Sequence, residues 1–133
     1  MKFVDGESEK RIAVVFTDHG INIWIQRLFR KGFRHCFALI EDGDGAIQVN
    51  MQYWGVHIDY WPCSLDSCIA ECEEQGITVV TVLGRFPKPY RLPLTVCTCV
   101  GIIKVILGVR AFHVWTPYHL YRYLYESTTK QNT

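Results

Sequence analysis

The chain has 133 residues, 49% of them apolar, with 14 basic against 13 acidic side chains. That length suits one domain around a single core, and the near balance of charge leaves no basic footprint for nucleic acid or an anionic membrane. The one local basic cluster, Arg27, Arg30, Lys31 and Arg34, reads as a solvated face.

The first residues, Met1-Lys2-Phe3-Val4-Asp5-Gly6-Glu7, lack the apolar core and small-residue cleavage site of a secretory signal. The longest apolar run is interrupted by Lys104 and is too short to span a bilayer. A soluble, cytoplasmic protein is therefore expected. In a reducing compartment its six cysteines should be free thiols, metal ligands or a catalytic group rather than disulfides.

In chain order, Arg11 to Thr17 reads as a strand from its β-branched content, broken by Asp18-His19-Gly20. Ile21, Trp24, Ile25 and Leu28 recur at helical spacing and predict a short amphipathic helix over 21–30, with Gly32 suited to its C-terminal cap. Residues 33–40 and 46–52 flank Glu41-Asp42-Gly43-Asp44-Gly45, the clearest hairpin in the sequence. With Gly43-Asp44 at the tip, His35 lies opposite Gln52 and Leu39 opposite Gln48, so His35 shares a sheet face with Gln48, Asn50 and Gln52.

The aromatic stretch 53–62 predicts another strand or an exposed lip. Ser64 to Gln75 predicts a helix closed by Gly76, and Ile77 to Leu83 a strand whose nearly unbroken apolar run suits an interior position. Pro87, Pro89 and Pro93 predict an extended connection into Thr98-Cys99-Val100-Gly101 and the apolar run that follows. Ala111 to Trp115 reads as a short strand. Thr116-Pro117 reads as a cap and first residue of a last helix with Tyr118, Tyr121, Leu124 and Tyr125 on one face. Residues 1–126 are expected to form the single domain and 127–133 a disordered tail.

The segment opening at Cys99 admits two readings. Val100, Ile102, Ile103, Val105 and Ile106 are β-branched and would suit a buried strand. As a helix, the same run places Cys99 in the first turn, capped by Thr98, where unpaired N–H groups and the macrodipole favour a thiolate. A cysteine nucleophile needs a base within reach and a polar group to hold that base. Cys99, His35 and Asn50 supply those three residue types, with His19, His57, His113 and His119 as alternative histidines.

The order His35-Cys36-Phe37-Ala38-Leu39-Ile40, a Gly/Asp turn, a second strand bearing a polar residue, and later Thr98-Cys99-Val100-Gly101 opening an apolar helix resembles the circularly permuted NlpC-like papain superfamily. Lecithin:retinol acyltransferase-like enzymes share that arrangement, in which histidine precedes cysteine. The resemblance covers residues 33–52 and 95–124. It implies a papain-like α+β fold, an antiparallel sheet packed against a helix carrying Cys99. It also implies Cys99 as nucleophile, His35 as base and a polar residue on the next strand as orienter. The orienter is commonly histidine in this superfamily, whereas here Asn50 or Gln48 stands there; Thr98 takes the place usual for an acidic or polar residue. The implied activity is that of a cysteine peptidase, amidase or acyltransferase on a peptide, amide or ester substrate, without a cofactor. A small enzyme of this kind would suit a phage, and so a virion-associated location, as well as a bacterial cytoplasm.

Two other classes compete. Cys68-x-x-x-Cys72, with Cys63 nearby, has a spacing that zinc accepts, although Cys97 and Cys99 do not form a second matching pair. Trp54, Tyr60, Trp61 and Trp115 could line a ligand groove on an inactive papain-like scaffold.

Overall fold

The computed structural model describes residues 9–18, 30–52, 55–85, 99–109 and 113–131. Five strands, β1 (Glu9–Thr17), β2 (His35–Asp42), β3 (Gly45–Gln52), β4 (Gly55–Trp61) and β5 (Thr78–Arg85), form one antiparallel sheet in the order β4-β3-β2-β1-β5. Among the described residues three helices, α1 (Leu65–Glu74), α2 (Cys99–Leu107) and α3 (Pro117–Gln131), accompany it in an α+β fold.

The period-two alternation of β1 explains the layering. Ile12, Val14 and Phe16 enter one core with Cys36, Ala38, Val80, Val100, Ile103, Leu120 and Leu124, which places α2 and α3 on that face. Ala13 and Val15 enter a second core with Leu39, Ala46, Leu65, Cys68 and Cys72, which places α1 on the other. A strand buried on both faces must be apolar throughout, and Ile12 to Phe16 is. Arg11, where β1 leaves the core, bridges Glu41 of β2 and Asp66 in the first turn of α1.

The hairpin forms in the expected register, with Leu39 opposite Gln48 and Asp42 opposite Gly45. Gly43 has φ +59°, as the first central position of a tight hairpin turn requires. The helix after Ser64 also forms as expected. The Ser64 hydroxyl accepts from Ser67 N–H at 3.2 Å, and Gly76 at φ +75° ends α1, with Ile77 N–H returning to Cys72 C=O at 3.0 Å. Thr116 caps α3 by accepting from His119 N–H at 3.2 Å. The aromatic stretch forms β4, exposed along almost its whole length. Its Tyr60 ring covers buried Gly45, where a Cβ would collide with it.

Three expectations are corrected. The apolar run of β5 is not interior: among the described residues β5 is an edge strand paired with β1 alone. Its composition follows from its faces, since Val80 and Val82 pack into one core and Val79 into the other while Leu83 is left exposed. Residues 127–131, expected as part of a disordered tail, continue α3. There the hydroxyls of Ser127 and Thr129 donate to the carbonyls of Tyr123 and Tyr125, one turn back. His113 to Trp115 form no strand.

Apart from Arg30, the helix expected over 21–30 lies outside the described residues, as do His19, Trp54, the proline connection, Cys97 and Thr98. Arg30, read as part of a solvated basic face, has its guanidinium 4.2 Å from the centroid of the Tyr118 ring.

Candidate active site

The run from Cys99 is a helix, not a strand. β-branched residues have only a small intrinsic preference against a helix, about 0.5 kcal/mol each, which burial overrides. Val100 and Ile103 are buried in the core over β1 and β2, with Cys99, Ile102, Ile106 and Leu107 packed around them. Gly108 at φ +69° ends the helix, and Val109 N–H bonds back to Lys104 C=O at 2.9 Å. Cys99 is thus the first residue of a nine-residue helix, among the N–H groups that no helical carbonyl satisfies.

His35 opens β2 and is 3% exposed. Regular pairing between β2 and β3 runs from Asp42–Gly45 up to Ala38–Val49. Beyond it, His35 Nε2 and Asn50 Oδ1 are linked side chain to side chain at 2.7 Å. An amide oxygen can only accept, so Nε2 carries the proton and Nδ1 is left for the Cys99 sulfur, to which the ring is also hydrogen-bonded. Cys99, His35 and Asn50 therefore meet, brought together from α2, β2 and β3. Gln48, the other amide considered for the orienting role, instead accepts from Trp61 Nε1 at 3.3 Å.

One member of the site went unnoticed in the sequence. Cys36, fully buried beside His35, donates its thiol to the Cys99 sulfur and also directs its backbone N–H there. The Cys36 thiol bond is the largest single influence on Cys99, and the backbone bond a much lesser one. With the His35 ring they outweigh burial and pull the Cys99 thiol down from the usual 9.0 to about 5. The charge moves the neighbours too. Burial pushes the Cys36 thiol well up and the Cys99 thiolate adds to this. For His35, burial acts downward, but the bond and charge of Cys99 and the Asn50 bond raise it overall. The lowered Cys99 thiol and the raised His35 ring favour a thiolate beside an imidazolium, the two titrating as a pair.

Cys99 should accordingly alkylate with a rate that is half-maximal near pH 5 and flat through neutrality, because the thiolate alone reacts and it is already formed there. Iodoacetamide labelling followed by peptide mapping checks this, and a midpoint between 8 and 9, where unperturbed thiols titrate, would contradict it. Cys36→Ala should move the midpoint upward, since the largest stabilising bond to the thiolate is lost.

The remaining candidates are elsewhere. His57, His113 and His119 are exposed. Cys63 and Cys68 bring their sulfurs to 2.7 Å on the α1 side of the sheet, and burial followed by the Cys63 contact pushes the Cys68 thiol up to about 12. Among the described residues no three His, Cys, Asp or Glu side chains are arranged to hold a metal ion, so Cys63, Cys68 and Cys72 do not form the zinc site considered above. Tyr60 and Trp61 cannot share one aromatic groove, because neighbours on a strand point to opposite faces. Trp61 packs on Phe37, with ring centroids 6.5 Å apart, while Tyr60 and Trp115 are exposed.

Against known protein families, curated proteins and solved structures, the chain has no match. No helix among the described residues is long and apolar enough to cross a membrane.

Proposed function

We propose that the protein is a cysteine hydrolase or acyltransferase that attacks amide or ester carbonyls through a thioester on Cys99, in a permuted papain-like domain of the NlpC-like kind. The observation that carries this reading is the relay itself, in which Asn50 fixes the Nε2–H of buried His35 and so presents Nδ1 to a sulfur at the start of α2.

In that reading the Cys99 thiolate adds to the carbonyl carbon, and the oxyanion forms beside the backbone N–H groups at the start of α2. The proton on His35 Nδ1 passes to the departing amine or alcohol, leaving the acyl group on sulfur. Water or an acceptor nucleophile then gives its proton to Nδ1 as it attacks the thioester, and the thiolate is released. Cys36 has the supporting task of keeping the sulfur ionised before attack.

Incubation with p-nitrophenyl acetate tests the reading. An acetyl adduct located on Cys99 by peptide mapping supports it; an adduct confined to other cysteines or to lysines sinks it. Within the same assay, Asn50→Ala should slow turnover by about 10²-fold, the range in which a misoriented base costs rate. Gln48→Ala should change it little, because Gln48 serves Trp61 and not His35.

A further inference from the structure

We infer that the protein forms a two-fold dimer in which the β4 strands of two copies pair antiparallel, edge to edge, centred on Ile58. Among the described residues β4 ends the sheet and pairs on one side only, with β3. Its other edge offers a row of backbone donors and acceptors.

Natural edge strands are ordinarily blunted by proline, charged side chains (lysine above all), a bulge or short length. Gly55-Val-His-Ile-Asp-Tyr-Trp61 has no proline, lysine or bulge over seven residues, its single charged side chain is Asp59, and six of the seven are exposed. Val56, Ile58 and Tyr60, at 45%, 66% and 56% exposure, lie on one face of the strand. They continue outward the row Ala38–Val49–Ile58, which begins in the core under α2.

The sequence of β4 specifies which partner fits. A two-fold axis perpendicular to the sheet at Ile58 puts Ile58 against its own copy and Val56 against the second copy's Tyr60. Both are β-branched or aromatic pairs of the kind that stabilise adjacent strands. On the opposite face it puts His57 against the second copy's Asp59, and the symmetry repeats that pair, so a donor ring meets a carboxylate twice. Asp59 already accepts from Tyr60 N–H with one oxygen at 2.9 Å, and its second oxygen serves as the acceptor. Moving the axis by one position either way along the strand destroys these matches, because His57 or Asp59 then meets its own copy. A self-complementary strand is what an isologous interface requires.

Light scattering on the full chain over a micromolar concentration series tests this. The wild-type mass should rise from 15.4 kDa towards twice that value. Ile58→Lys, which sets like charges face to face on the axis, should hold the protein at 15.4 kDa with an unchanged circular dichroism spectrum. His57→Asp should do the same by placing acid opposite acid, and the exchange His57→Asp with Asp59→His should restore the dimer. A mass of 15.4 kDa at every wild-type concentration overturns the inference. So does a dimer indifferent to Ile58→Lys, or an exchange variant that stays monomeric, either of which would leave this edge to some other extended peptide.

Discussion

Cys99→Ala should leave a folded protein with acyl transfer reduced by at least about 10³-fold, the scale seen when a nucleophile is removed and binding alone remains. The fold should survive because Cys99 is only partly buried at the rim of the core, while Val100 and Ile103 anchor α2. Loss of one sulfur there should cost about 1 kcal/mol or less. A rate assay on an activated ester, run beside a urea melt, separates the two effects. Equal activity in the variant would remove Cys99 from the reaction, whereas loss of activity together with loss of fold would make the residue structural. Cys99→Ser should be as inactive as the alanine variant, since a hydroxyl in the same place is not ionised by the bonds that ionise the thiol.

Phe16→Ala should be the most destabilising of the single core truncations, by about 3–5 kcal/mol, a large share of the 5–15 kcal/mol that holds a domain together. Phe16 is 1% exposed, with ring centroids 5.7 Å from Phe33 and 5.6 Å from Tyr121. The cavity left would open between the sheet and α3. Phe16 also lies directly opposite Cys36 across β1 and β2, so the same variant should raise the reactivity midpoint of Cys99 as well as lower the urea midpoint. Leu83→Ala is the control: on edge strand β5 at 64% exposure, it should shift stability by no more than about 0.5 kcal/mol.

Much of the scaffold was legible because its signals are local. The Gly/Asp turn dictated the hairpin register, which in turn put His35 and Asn50 on one face and chose Asn50 over Gln48. Ser64 and Gly76 bounded α1, and Thr116-Pro117 opened α3. The illegible parts depend on contacts distant along the chain. Nothing local distinguishes an edge from an interior strand when helices cover both faces, as they do for β5. The polar 127–131 stretch reads as a tail until its hydroxyls are seen bonding back into the preceding turn. Cys36 was hidden for a related reason. Its alternation places it on the core face, where a cysteine reads as a small hydrophobe, and only the arrival of α2 turns it into a donor for the Cys99 sulfur.

The tight turn at Gly43-Asp44 has a consequence for how this protein can change. Because it sets the alignment of β2 against β3, it decides from the far end of the hairpin which amide supports the imidazole. A one-residue insertion there would touch nothing near the sulfur yet rotate every later β3 side chain to the other face and withdraw Asn50. Loop length at this remote corner is thus tied to the contact between the imidazole and its amide, and lengthening it should break that contact as surely as replacing Asn50.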